Sequence, residues 1–268
     1  FNEKELLELR IELLKDYVDK FVIIESNLTH SGNPKEFTCK KVLREIGLYD
    51  EDKIEVIELV YPPDEEYQFN YLDEFYGQDD IKLKRIGYRE RTQRDALLNV
   101  MDQFDNDTVF FISDCDEIIN PENIEFISNI VRQNIPNDID TFFKIPLVYL
   151  QARADLRAHD VDTDNYTEWR LSMLVSMKQQ LEKWTPTEIR ARYEPVNYVG
   201  EGAIRYEDLG WHFSWMGDTE RNMIKAYSYS HYGHYHDFMI YEKCYGEEMD
   251  KFIQSCLLYT SDAADDTP

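Results

Sequence analysis

Residues 108–119, TVFFISDCDEII, constrain the fold more than any other stretch. Thr108, Val109, Phe110, Phe111 and Ile112 predict a short buried strand, being β-branched and aromatic without interruption. After Ser113 come three acids almost at once, Asp114, Asp116 and Glu117. A hydrophobic strand that ends in clustered carboxylates suits an open α/β sheet, where ligands sit beyond the carboxyl ends of the strands. Asp114 and Asp116 are two apart, so in extended chain both side chains leave on one side and can share one hard metal ion. A solvated Asp-rich turn is the alternative.

The chain has 268 residues, 43% hydrophobic and 14% aromatic, enough to bury the core of a single domain. A net charge of −25 argues against nucleic acid as a partner, since phosphate backbones are bound through clustered Lys and Arg. One small anionic ligand is compatible with that charge if a basic patch or a bridging metal receives it. No apolar run nears the roughly 20 residues of a membrane helix, and the four cysteines show no metal-binding spacing. Both features predict a soluble, cytoplasmic protein with reduced thiols. The start at Phe1 and the C-terminal CLLYTSDAADD from Cys256, which reads as a sequencing-adapter scar, predict a domain over 1–255 truncated at both ends. The non-native tail 256–268 is then disordered, and without its Asp262, Asp265 and Asp266 the net charge falls from −25 to −22.

A helix is predicted from Asn2, with Leu6, Leu9, Leu13, Leu14 and Val18 at helical spacing. The strand Phe21–Ile24 follows, ending at Glu25 and opening into the polar loop NLTHSGNPK, which contains Lys35. That layout repeats the one at Asp114, so Glu25 and Lys35 are candidate ligand contacts, with a carboxylate facing water as the alternative for Glu25. A short helix and a strand come next, then an irregular stretch from Tyr61 to Asp80 that reads as a surface loop or lid. Lys82, Lys84, Arg85, Arg89, Arg91 and Arg94 lie within thirteen residues that hold one acid, Glu90. On a helix, the N-terminal end of this patch would meet a phosphate group, with Arg91 and Arg94 as its ligands. A solvated face pairing with acids elsewhere is the other reading. In GWHFSW, residues 210–215, strand alternation puts His212 and Ser214 on one face and the aromatic residues on the other.

FNE at the start, FVIIESNLTHSGNPK, RTQRDAL, FFISDCDEI with Pro121 after it, EWRLSML and GWHFSW occur in the order and approximate spacing of glycosyltransferase family 17. The chain resembles that family from Phe1 to about Ser255, most specifically in SDxDEI and GWHFS. It contains the β-1,4-mannosyl-glycoprotein β-1,4-N-acetylglucosaminyltransferases and their bacterial and viral relatives. The resemblance implies an α/β, GT-A-like nucleotide-diphospho-sugar transferase fold, a mixed central sheet flanked by helices, with a DxD motif at Asp114 and Asp116. Two departures are a short strand that members carry ahead of FNE and Asp95 where they have Asn.

The implied reaction is inverting transfer of a sugar, on family precedent N-acetylglucosamine from UDP, to a glycan hydroxyl. Asp114 and Asp116 would hold Mn²⁺ or Mg²⁺ against the diphosphate, and His212 is the expected third ligand. Inversion needs a base for the acceptor hydroxyl; Glu117 is the first candidate, Glu168 and Asp208 the alternatives. Two other classes stay open. A haloacid-dehalogenase-type phosphatase also carries DxD, and Gly217, Asp218 and Asn222 echo its later motif. A domain that binds a glycan or nucleotide sugar without turning it over is the second.

Overall fold

The computed structural model describes residues 3–73, 80–151, 154, 157, 159–160, 165–166, 168–192, 197–198, 208–217 and 219–228. Its helices are α1 (Lys4–Leu14), α2 (Cys39–Glu45), α3 (Ile81–Asp95), α4 (Ile124–Asn134), α5 (Lys178–Leu181), α6 (Pro186–Ala191) and α7 (Thr219–Ser228). Its strands are β1 (Phe21–Ser26), β2 (Ile54–Leu59), β3 (Val109–Ile112), β4 (Glu117–Ile119), β5 (Phe143–Gln151), β6 (His159–Asp160), β7 (Asn165–Tyr166), β8 (Glu168–Met177), β9 (Asn197–Tyr198) and β10 (Gly210–Ser214). The tail 256–268 lies outside the described residues. None of the described helices is long and apolar enough to cross a membrane.

Local chemistry explains most boundaries. α1 is built from strong helix formers, and Leu6, Leu7, Ile11 and Leu14 bury one side of it. Asp80 caps α3 by accepting from the Lys82 amide at 2.7 Å. α6 has a full capping box, Thr185 with Glu188, and Pro186 in its first turn. In α4, Ile124, Ile127 and Val131 are buried at spacings of three and four.

The fold is mixed α/β. Five strands form a hydrogen-bonded path, β3-β8-β5-β10-β4, and β9 adds to β5. Pairings are antiparallel except β5 with β10 and with β9. One face of this sheet, through Ile145, Leu147, Met173 and Val175, packs with α1 and α4. The other, through Phe110 and Leu174, packs with Leu97, Met101, Leu181 and Ile189.

β1 and β2 form a separate parallel pair. Phe21 and Ile23 of β1 share the first core with Val109 and Phe111 of β3, whereas Val22 and Ile24 share the second with Phe110 and Ile112. The two strands therefore lie in one layer with the same two faces, yet no ladder joins them. A cavity of about 1280 Å³ is lined by every residue of 21–26 and 108–115. Consecutive residues line a cavity when strands turn their edges to it, because a strand face would contribute only alternate ones.

The segment after Tyr61 is not a loose lid over its described part. Tyr67 stacks on Tyr88 at 4.0 Å, Asp64 accepts from Arg89 at 2.9 Å, and the fully buried Asp73 takes Arg91 through both oxygens, at 2.7 and 3.0 Å. Three of the six basic residues of the patch, Arg85, Arg89 and Arg91, are thus taken up by acids of this segment.

Candidate active site

Between Ile112 and Glu117 the chain turns back on itself instead of running on as a strand. The Glu117 amide donates to the Asp114 carbonyl at 3.1 Å, and Glu117 opens β4, which runs antiparallel to β10. Arg10 of α1 fixes the turn from below, donating to the carbonyls of Asp114 (2.9 Å) and Glu117 (2.7 Å) and to Ser113 Oγ (2.8 Å). The expectation that Asp114 and Asp116 leave one side of an extended strand is therefore corrected. Asp114 is half exposed and Asp116 is buried.

Each carboxylate has its own cation. Asp114 Oδ2 accepts from Arg190 of α6 at 2.9 Å, with Arg94 4.0 Å from the other oxygen. Asp116 Oδ2 accepts from Lys225 of α7 at 2.9 Å and lies 3.6 Å from His212 Nε2. Burial opposes the charge on Asp116, but the Lys225 ammonium and His212 outweigh it and hold the carboxyl below its ordinary range. The same pairings raise Arg190 and Lys225 against the opposing effect of their burial.

Glu117 occupies a different environment. It is fully buried, Oε1 accepts from the Trp169 indole at 2.8 Å, and Oε2 accepts from the Asp114 amide at 3.0 Å. Burial raises its pKa more than Arg190, 3.5 Å away, lowers it. Facing residues on an antiparallel pair share a face, and Glu117 is opposite His212. His212 packs in a three-ring cluster with Tyr149 (5.2 Å) and Trp169 (4.5 Å), which are themselves 5.5 Å apart. A carboxylate with both oxygens engaged is a holding group, so the geometry disfavours the predicted base role. Glu117→Gln is expected to lower the melting temperature while leaving the pH–rate profile's ascending limb in place. Loss of that limb, with roughly 10²–10⁴-fold lower turnover, would restore Glu117 as the base.

The other predicted site residues are spread more widely. Glu25 is buried and accepts from the amides of Thr38 (3.1 Å) and Cys39 (2.9 Å), satisfying donors at the start of α2. Lys35 lines the cavity beside it, its pKa lowered by burial. Arg91 is taken up by Asp73, whereas Arg94 reaches the cavity and pairs with Glu90 at 2.8 Å. The part of α3 that lines the cavity is Glu90, Gln93 and Arg94, near its C-terminal end. The predicted contact through its N-terminal end is accordingly corrected, since Asp80 already caps that end. The Glu168 side chain lies outside the described residues; Asp208 is exposed, its carbonyl bonded to Asn120 and Asn123. Arg10, Trp169, Arg190 and Lys225 were not among the candidates, and all four contact the DxD turn.

A family model of glycosyltransferase family 17 matches residues 1–249. The chain belongs to glycosyltransferase family 17. No curated protein and no solved structure gave a match. Membership makes the protein a glycosyltransferase acting on a sugar donor and a glycan acceptor, and it displaces the phosphatase reading. The Gly217 and Asn222 echo has a local explanation: Asn222 Nδ2 donates to the Gly217 carbonyl at the start of α7.

For the divalent ion expected at Asp114 and Asp116, the donors fit in kind but are not assembled. Among the described residues no three His, Cys, Asp or Glu side chains form a metal-holding group. Asp116 and His212 do converge, and a cation, the Lys225 ammonium, already rests on the carboxylate they would share. His212 Nδ1 is buried without a hydrogen-bond partner.

Arg190 is held by a second buried cation. Lys144 of β5 donates to the carbonyls of Arg190 (2.8 Å) and Arg192 (2.7 Å), capping the end of α6. Burial brings its pKa down to about 8 from the ordinary 10.5. Between these values the unfolded chain binds more protons than the folded one, so this lysine's contribution to stability rises with pH. The unfolding free energy of wild type relative to Lys144→Met is expected to be flat below about pH 8 and to climb towards pH 10.5 in urea titrations. A flat difference throughout would contradict this.

Proposed function

We propose that the protein is a metal-dependent, inverting glycosyltransferase of GT-A-like architecture. It moves a sugar, N-acetylglucosamine in the first instance, from UDP to a glycan hydroxyl. One observation carries the reading: the cavity runs along the edges of β1 and β3, and beyond their carboxyl ends Asp114, Arg94, Arg190, Lys35 and Lys225 are among the residues that line it. In a chain of net charge −25, this is where a diphosphate can be received.

Asp114, Asp116 and His212 are the residues that would hold Mn²⁺ or Mg²⁺, and the imidazole favours Mn²⁺. The ion would supply positive charge at the diphosphate as it leaves. Arg94 and Arg190 add charge-assisted hydrogen bonds from fixed positions, which cost little reorganisation during reaction. Arg10 and Glu117 keep the turn's backbone in place, so Asp114 is presented to the cavity and Asp116 to His212.

Isothermal titration with UDP and UDP-sugars, with and without Mn²⁺, tests the reading, followed by a donor panel scored by nucleotide release. Mn²⁺-dependent nucleotide binding and release from one preferred donor are expected. Absence of nucleotide binding in both conditions would overturn it. Binding without turnover on any acceptor would leave a non-catalytic binding domain.

A further inference from the structure

We infer that the Lys225 ammonium is a built-in occupant of the cation position on Asp116, and that it sets how tightly this site takes a divalent ion. The inference rests on the proposal that Asp116 is a metal ligand. It goes beyond it by naming the group an incoming ion must displace.

Lys225 Nζ is 2.9 Å from Asp116 Oδ2, the oxygen that also lies nearest His212 Nε2 at 3.6 Å. An ion drawing on that oxygen and that nitrogen would be pressed against the ammonium, and two cations at such separation in a buried site repel strongly. The ammonium is well kept. Its other bond goes to Glu3 Oε1 at 3.0 Å, and the Trp215 ring lies 5.7 Å from it. Arg221 pairs with Glu5 one turn earlier on α7, so two ion pairs hold this helix to the start of α1. Glu3 also gives the ammonium somewhere to remain once Asp116 is taken, which makes displacement a short movement. Asp116 and Glu3 are both within hydrogen-bonding reach of one nitrogen, and its positive charge is what lets the two carboxylates stay close. A neutral side chain in its place would leave them facing each other next to His212, a stronger attraction for a hard divalent ion than Asp116 with its ammonium attached.

The test is Mn²⁺ binding by the full chain without nucleotide, read from the electron paramagnetic resonance signal of free Mn²⁺. Wild type is compared with Lys225→Met, Lys225→Gln, Lys225→Arg and Asp116→Asn, each checked for folding by circular dichroism. Lys225→Met and Lys225→Gln are expected to bind at least tenfold more tightly than wild type. Lys225→Arg should bind no more tightly than wild type, and Asp116→Asn should lose the site. The glutamine variant keeps a hydrogen-bonding side chain and carries the comparison if the methionine variant does not fold. If wild type binds, Asp116→Asn does not, and both neutral variants match wild type, this inference fails while the metal reading stands. If Asp116→Asn binds as wild type does, or no variant binds, both fail.

Discussion

Asp116→Ala is expected to remove metal-dependent sugar transfer, lowering kcat/KM by roughly 10³-fold or more. A metal that stabilises a leaving group contributes several kcal/mol, and each 1.36 kcal/mol is a factor of ten in rate. Asp116 differs from Asp114 in being buried, with its backbone carbonyl accepting from the Phe213 amide at 2.8 Å. It has little freedom to be replaced by a neighbour. Removing the carboxylate leaves Lys225 with Glu3, so the ammonium keeps a partner and the fold survives the change better than an unpaired buried charge would allow. The measurement is nucleotide release across a Mn²⁺ titration, alongside a thermal melt. Full metal-dependent activity in a folded Asp116→Ala protein would contradict the proposed site.

Gly210→Ala is expected to destabilise the fold by roughly 3 kcal/mol or more, combining overpacking with backbone strain. A Cβ built on Gly210 would lie 2.5 Å from the Ile118 carbonyl oxygen, and 2.9 Å from both Ile119 Cα and Leu147 Cδ2. Two of those atoms are backbone and cannot swing away. The residue's φ of +155° adds to the cost. For a chain of this size the loss corresponds to a fall in melting temperature of roughly 6–12 °C. Activity should fall with it, because Gly210 pairs with Ile119 in the same short ladder that sets His212 opposite Glu117. An unchanged melting temperature and unchanged turnover would show that β4 and β10 can separate without consequence.

What could be read from the sequence was local. The apolar run at 109–112 became β3, and the alternation in GWHFS became a strand with His212 and Ser214 buried on one side. The reversal at Asp114 could not be read, because it depends on Arg10, which lies about a hundred residues earlier and bonds to carbonyls that any sequence would have. The basic segment 82–94 was visible as a cluster but not as a division of labour. Its partners Asp64 and Asp73 belong to an irregular stretch whose path follows from tertiary packing. Arg190 and Lys225 escaped for a related reason. Each is one cation on a short helix with several polar neighbours, and what singles it out is a contact with an acid 76 or 109 positions away. The thirteen-residue spacing between Glu25 and Thr38 likewise concealed a helix start that uses a strand-end carboxylate.

The facing of Glu117 and His212 across β4 and β10 has a consequence for how such an enzyme can diversify. A slip of one residue in that ladder would turn every side chain on it to the opposite face, so its two short blocks tolerate no insertion. The chain between them carries β5 and β8, whose register is equally fixed, and only its connecting loops are under no such rule. It can lengthen, shorten or change composition in its connections while the distance from Asp116 to His212 stays as the ladder sets it. Loops can therefore be exchanged while Asp116, Glu117 and His212 keep their places relative to one another.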